Sequence, residues 1–282
     1  MRISKAERAK HEQIVDLLEK DTLTQDEREW VIENLNEAAI CEITRCGAFF
    51  TPIDYAFGLA FELGSSHRSR SLLDLCSGIG LLAYAAYHHH SFFKETGYNR
   101  IVCVEQNYDF VKIGKKLLPQ ATWIHGSIDD DHVKEQLTEI VKEHGEFDDV
   151  ISNPPYGIVP SMKDIQCPRY TGKHAHFKVM DIASQYAGRG TFIIPQNDAG
   201  FRYSGVQNFE RVESSNFKKF VKDTGWRPDI GMGQDTTVFP MFKNTKIQTE
   251  IVVIDYYENL IDDAQSKEEP NESTTINRWA NK

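Results

Sequence analysis

The sequence predicts an α/β protein: a mostly parallel seven-stranded sheet, closed by an antiparallel C-terminal hairpin and preceded by an N-terminal helical hairpin. Three observations predict it. Short apolar runs alternate with helical stretches between residues 71 and 195, the pattern of strand–helix–strand units with helices on both faces of a sheet. One of these runs, SLLDLCSGIGLLAYAA, passes from a strand through a glycine turn directly into a helix. Two β-rich runs, TTVFPMF and IQTEIVVIDYY, follow near the end with the turn-like KNTK between them.

From the N-terminus, Ile14, Val15, Leu17 and Leu18 fall on one helical stripe, and Thr24 to Glu27 reads as a capping box that opens a second helix through Trp30, Val31 and Leu35. Residues 1–40 therefore form a helical extension to a main domain spanning 41–257. GSSHRSR, Gly64 to Arg70, is a loop by composition. Strands are expected at 71–76, 100–105, 121–125, 147–152 and 190–195, with the closing hairpin after residue 235. Beyond Tyr257 the sequence is polar and acidic, which predicts a mobile tail over 258–282. No internal repeat is present.

Composition excludes several classes. Of 282 residues 40% are hydrophobic, yet no apolar run approaches the length that crosses a bilayer. The opening MRISKAERAKHEQ is charged and lacks the apolar stretch of a secretory signal. Cys41, Cys46, Cys76, Cys103 and Cys167 make an odd count without a CxxC pair, which argues against a disulfide framework or a zinc ribbon and fits a reducing cytoplasm. The net charge of −10 opposes polyanion binding, but it is unevenly spread. Gly157 to Asp235 holds 11 basic against 8 acidic residues, a net of +3, so the remainder carries −13.

Two segments carry chemistry. In the glycine turn, Gly78 and Gly80 let the backbone bend tightly and approach a ligand, with Cys76 and Ser77 in the same turn. The third glycine of a dinucleotide fingerprint is missing, so the pattern favours a cofactor without phosphates; a purely structural turn is the alternative. RIVCVEQ ends in Glu105 and Gln106, and an acid at the tip of the second strand is placed to accept both hydrogen bonds of a ribose diol. The third strand ends in Gly126, Ser127 and Ile128, where an adenine ring would be met, unless Ser127 merely caps the helix starting near Asp129.

FDDVISNPPYG is the second segment: an apolar strand that delivers Asn153, Pro154, Pro155 and Tyr156 to the carboxyl edge of the sheet, where open α/β sheets bind ligands. A conjugated amino or amide nitrogen is a poor nucleophile because its lone pair is delocalised. The Asn153 side-chain oxygen and the Pro154 carbonyl can both accept from one NH₂ group, turning its hydrogens aside and its lone pair toward an electrophile. The prolines hold these acceptors rigidly, and Tyr156 can stack on a planar substrate. A rigid Pro-Pro turn with an Asn cap is the alternative.

With these segments the chain resembles the amino-group (N6-adenine) DNA methyltransferases of NPPY type, in which the cofactor motifs precede the catalytic motif. The resemblance covers roughly Gly47 to Tyr257. It implies a Rossmann-like class I methyltransferase fold, S-adenosylmethionine as cofactor, no metal, and nucleic acid as partner, with DNA offering a flipped or single-stranded base. Asp74, Cys76, Ser77, Gly78 and Gly80 match the cofactor loop, with Asp74 toward the methionine part. Glu105 and Gln106 match the ribose acid and its neighbour, Ser127 and Ile128 the adenine wall, and Asn153 to Tyr156 the catalytic tetrapeptide. GAFFTP resembles the family's additional cofactor motif and brings in Phe50, Thr51 and Pro52. Physically, Thr51 as N-cap with Pro52 at the first helical position leaves backbone N–H groups free for the methionine carboxylate. FKVMDIASQYAGRGTFIIP resembles the stretch where an aromatic residue holds the target base, which makes Phe177 a candidate.

Two departures stand out: Ser127 occupies a place where the family commonly has an acid, and only Gln196 to Asp235 is available for target recognition. That stretch interleaves Phe201, Arg202, Tyr203, Phe209, Arg211, Lys218, Lys219 and Trp226 as a base-stacking surface would, with loop packing as the alternative. The same tetrapeptide geometry serves an RNA base or a protein glutamine amide, and a silent fold acting as a binding module is a further alternative. His88 to His90 are consecutive, so a helix spreads them apart, and Cys167, His174 and His176 have only loose metal-like spacing.

Overall fold

The computed structural model describes residues 4–40, 49–63, 70–92, 97–243 and 245–257. Positions 64–69 of the GSSHRSR loop, Cys41, Cys46 and the acidic tail lie outside them. Eight helices are used below: α1 Lys5–Leu18, α2 Gln25–Asn34, α3 Ile53–Glu62, α4 Leu81–Phe92, α5 Tyr108–Leu117, α6 Asp131–His144, α7 Ala175–Ala183 and α8 Ser215–Thr224. The main strands are β1 Arg70–Leu75, β2 Tyr98–Glu105, β3 Thr122–His125, β4 Asp149–Ser152, β5 Arg189–Pro195 and β8 Thr249–Asp255, with β6 Gly200–Arg202 and β7 Glu210–Val212 forming a separate antiparallel pair.

The main sheet runs β3-β2-β1-β4-β5-β8. All neighbours are parallel except β5 and β8, which pair antiparallel from Arg189↔Asp255 to Pro195↔Thr249. The first five strands thus lie where the apolar runs predicted them. Six strands are present among the described residues instead of seven, because TTVFPMF does not form the first arm of a hairpin. Pro240 cannot donate to a ladder, and Thr236–Val238 instead makes a 3-10 turn capped by Asp235. The two aromatic side chains of this segment turn inward, while Val238 and Met241 stay exposed: Phe239 stacks on Tyr55 of α3 at 5.1 Å, and Phe242 is buried beside it. Beyond β8, among the described residues, the ladder continues only as an isolated bridge between Asp229 and Val253.

Strand alternation divides the core between the two faces of the sheet. Leu73, Leu75, Val102, Val104 and Val150 face α6, α7 and α8, while Leu72, Ile101, Cys103, Ile151 and Ile193 face α2 to α5. The N-terminal hairpin belongs to the second face. The Thr24–Glu27 capping box is present, Ile14, Val31 and Leu35 are buried there, and Gln25 donates to the Tyr84 hydroxyl of α4 at 2.7 Å. Val15 points outward instead, 44% exposed, so the stripe of α1 is narrower than the sequence suggested. At the edge where β1, β2 and β4 begin, Arg70 pairs with buried Asp149, which also accepts from the Tyr98 hydroxyl at 2.9 Å. These charges are neutralised far from the opposite edge, which is left open for a site. No described helix is long and apolar enough to cross a membrane.

Candidate active site

At the carboxyl edge of β1, β2, β3 and β4 lies a cavity of about 580 Å³. Twelve sequence-predicted residues line it: Phe50, Thr51, Asp74, Cys76, Ser77, Gly78, Glu105, Gln106, Ser127, Ile128, Asn153 and Pro155. Segments distant in the chain thus converge on one space. Gly80, Pro52, Pro154, Tyr156 and Phe177 do not line it.

The glycine turn is built as its residues require. Cys76, Gly78 and Gly80 all have positive φ, at 58°, 57° and 82°. A Cβ on Gly80 would fall 2.8 Å from the Trp123 ring, so this glycine serves the packing of the turn on β3 rather than the cavity wall. Gly78 faces the cavity, and its N–H donates to Glu105 Oε2 at 2.8 Å. Asp74 is fully buried; its Oδ2 accepts from Ala83 N–H at 3.3 Å, at the start of α4, while Oδ1 has no partner among the described residues. Burial pushes its carboxyl well above the usual range, and the nearby Glu105 charge adds to this.

Glu105 is 7% exposed. Its Oε1 accepts from Asn107 N–H at 2.7 Å and its Oε2 from Gly78, which fixes the carboxylate plane. Burial raises its pKa to about 7 despite these opposing backbone hydrogen bonds. A carboxylate has about four acceptor positions, so the backbone N–H groups of Gly78 and Asn107 leave acceptor capacity for a hydroxyl-bearing ligand.

Ser127 does not cap α6. Asp130 is the N-cap residue of that helix; Ser127 N–H donates to the Asp130 side chain at 2.7 Å and the Ser127 hydroxyl donates to Asp129. Ser127 therefore keeps the cavity wall, with its hydroxyl satisfied internally. Thr51 is also not an N-cap. Pro52 takes that position in extended conformation, its carbonyl accepting from Ala56 N–H at 2.9 Å, and α3 has no side-chain cap. The first N–H groups of α3 are thus free of a capping side chain, and the Thr51 hydroxyl turns to Asn153 instead.

Asn153 follows β4, whose Ser152 hydroxyl ties back to the Leu75 carbonyl of β1. Asn153 Nδ2 donates to Thr51 Oγ1 at 2.9 Å and to the Phe49 carbonyl at 3.3 Å, and Oδ1 accepts from the Tyr156 hydroxyl at 2.6 Å. Burial holds the Tyr156 phenol well above its usual pKa, so it stays a donor. Behind the tetrapeptide, Gly157 N–H points at His176 Nδ1 at 3.4 Å, and His176 Nε2 lies 3.3 Å from Asp198. Burial lowers the pKa of His176, opposed by Asp198. Lys178, on the same helix α7, donates to the carbonyls of Met162, Lys163 and Ile165, fixing the loop that brings Ser161 and Met162 to the cavity.

Phe177 does not line the cavity. It is fully buried between these residues on α7 and stacks on Phe220 at 4.7 Å and 15°. The 196–235 stretch is likewise divided. Phe201 and Trp226 are core, Lys219 pairs with Asp223 at 2.9 Å, and Arg211 lies 3.6 Å from Asp229. Of its aromatic rings Phe209 stays exposed, at 42%, with Arg211 over its ring. The aromatic and basic pattern therefore reflects core packing and paired surface charge more than a continuous stacking face. His88 and His89 face different rings, Tyr84 and Phe61.

Sequence reasoning missed Phe49, Phe110, Asn107, Ser161 and Met162 in the cavity wall. Phe110 was legible in principle: Asn107 caps α5, and the third residue after it turns back over the sheet edge, meeting Phe50 edge-on at 5.0 Å. Ser161 and Met162 carried no signal, since Lys178 places them.

No protein-family model matches the chain. Over 119 residues it is 32% identical to the release factor glutamine methyltransferase of Corynebacterium glutamicum, a match covering 40% of this chain and 37% of that relative. The aligned part is thus well under half the length of that curated relative. Among solved structures, one described as a class I S-adenosylmethionine-dependent methyltransferase from Listeria monocytogenes superposes with a TM-score of 0.57 at 18% identity, covering 89% of this chain and 80% of that one. The methyltransferase subunit of a type I restriction-modification system from Streptococcus thermophilus gives 0.52 at 15% identity, covering 87% and 58%. The fold is that of the class I methyltransferases.

Proposed function

We propose that the protein transfers a methyl group from S-adenosylmethionine to a planar, conjugated NH₂ nitrogen, with the N6 amino group of adenine in DNA as the leading substrate. The observation that carries this reading is that Asn153 and Pro155 line the same cavity as Asp74, Gly78 and Glu105. A substrate amino group and a nucleoside cofactor would share one space.

The residues suit that cofactor. The remaining acceptor capacity of Glu105 takes the ribose diol. The unpartnered Oδ1 of buried Asp74 is a costly vacancy for a hydrogen bond, and a cationic amino group relieves it. Phe110, Val104 and Ile128 supply an apolar wall for a flat ring. When bound, the cofactor supplies a methyl on a sulfonium that already carries its leaving group.

The protein's own contribution is orientation. Asn153 Oδ1, on the cavity wall, accepts one hydrogen of the substrate NH₂, and the carbonyl of the adjoining Pro154, itself off that wall, is the acceptor proposed for the other, which localises the nitrogen lone pair and aims it into the cavity. The Tyr156 hydroxyl takes one acceptor position of Asn153 Oδ1 and leaves the other for the substrate. A second reading, the side-chain amide of a protein glutamine, has its own support in the 119-residue similarity to a glutamine methyltransferase and in the acidic partners that Arg211, Lys219 and Arg227 already have.

Transfer of tritiated methyl to duplex DNA, single strands, RNA and protein extract in parallel, followed by identification of the modified group, decides among them. Asn153→Ala should abolish transfer while cofactor affinity changes less than about threefold, since the orienting acceptor acts only on the nucleophile. Wild-type turnover in that variant removes the mechanism; cofactor binding without transfer to any acceptor would indicate a binding module.

A further inference from the structure

Phe177 of α7 packs into the core, while the residues on either side of it, His176 and Lys178, reach the loop that leaves the catalytic tetrapeptide. Both are buried, at 0% and 4% exposure, so each polar side chain needs partners where it stands. The Lys178 ammonium has three donors and no acceptor. It donates to the carbonyls of Met162, Lys163 and Ile165 at 3.0, 2.8 and 2.9 Å. Carbonyls so close in sequence converge on one point only where the chain curls around it, and Pro160–Met162 makes the 3-10 turn that begins this curl.

At the other end of the loop, Gly157 gives both of its backbone groups to α7. Its carbonyl accepts from Ala175 N–H at 2.7 Å, in place of the side-chain cap that His174 does not supply. Its N–H donates to His176 Nδ1 at 3.4 Å. A backbone N–H can only donate, so Nδ1 bears no proton and the neutral ring carries it on Nε2, 3.3 Å from Asp198 Oδ2. Asp198 is in turn held by the Ser214 hydroxyl at 2.8 Å.

The first four residues of one helix thus grip loop 157–165 at both ends. Between the grips lie Ser161 and Met162, which line the cavity together with Asn153 and Pro155. The carboxylates on the cofactor side are held without this loop: Glu105 by the N–H groups of Gly78 and Asn107, Asp74 by that of Ala83. We propose that Lys178 and His176 are positioning residues that hold loop 157–165 as the cavity wall beside Asn153, against which the substrate group is oriented. The proposal rests on the function proposed above, in which that group meets Asn153 in this cavity.

The test uses the full chain with Lys178→Leu and His176→Leu, which remove the grips, and His176→Asn, whose side-chain oxygen can stand where Nδ1 stood. Two readouts are taken: steady-state methyl transfer at saturating cofactor, well below each variant's melting temperature, and the ¹³C-labelled methyl of Met162, assigned by its loss in Met162→Leu. A wall displaced by about 1 Å should lower kcat by about 10- to 100-fold in each leucine variant, with cofactor Kd within about threefold. The Met162 methyl signal should move in both, and His176→Asn should return the signal and bring kcat to within about threefold of wild type. Wild-type kcat in either leucine variant, an unmoved Met162 methyl, or a loss confined to melting temperature or cofactor Kd overturns the proposal. If Lys178→Leu does not fold, the two His176 variants decide; if neither leucine variant folds, these residues serve the fold and the proposal falls. Should the wild type methylate nothing, the proposed function fails by itself, and the Met162 methyl still decides whether Lys178 and His176 hold the loop.

Discussion

Glu105 gives the protein two opposite pH dependences. Burial lifts its carboxyl from 4.5 to about 7 in the fold. The folded state therefore holds this proton more tightly than the unfolded chain, so the contribution to stability is fully present below pH 4.5 and is lost as pH rises through 7. The amount at stake is about 3 kcal/mol, the cost of ionising the group in place. Cofactor binding runs the other way, because a ribose diol needs the ionised acceptor. With a pKa near 7 the competent fraction falls about tenfold between pH 8 and pH 6, and apparent affinity should fall with it. Titration calorimetry with S-adenosylmethionine across this range, beside thermal unfolding of the free protein, measures both slopes. Glu105→Gln should bind roughly 10- to 100-fold more weakly, since its NH₂ group must face the N–H of Gly78 or Asn107, and with a flat pH response. Asp74 is the other buried carboxyl of the cavity, so the slope should survive in Asp74→Asn. An identical slope in wild type and Glu105→Gln, or wild-type affinity that rises as pH falls, refutes the reasoning.

Two further outcomes separate packing from chemistry. Phe177→Ala should cost about 3–5 kcal/mol, read as a melting temperature lower by roughly 10 °C, because the ring lies in the core against Phe220; a raised substrate KM at unchanged melting temperature would return Phe177 to the substrate. Gly80→Ala and Gly145→Ala start from similar φ, 82° and 79°, but a new Cβ meets Trp123 at the first position and open space at the second. The first should be the more destabilising by about 1–3 kcal/mol in chemical denaturation, and equal losses would mean that backbone strain alone makes the glycine necessary.

Much of this protein was legible in one dimension. The alternation of apolar runs with helical stretches located β1 to β5, the Thr24–Glu27 box located α2, and Gly78 of the glycine turn, Glu105, Asn153 and Pro155 converge on one cavity. Such signals are local: the pleat, the helical turn, the cap and the forbidden φ are each set by residues within a few positions of one another. What failed depended on distant partners. Phe239 and Phe242 read as strand residues until Tyr55 took them into the core, and Phe177 read as a base contact until Phe220 covered it. Thr51 read as a cap until Asn153, 102 residues on, claimed its hydroxyl. The sequence by itself thus determined which elements exist and which residue types gather at the open edge of the sheet. Tertiary structure alone decided which side chain each polar group satisfies, because a buried donor or acceptor takes whatever partner packing brings within about 3 Å, however far away in the chain that partner lies.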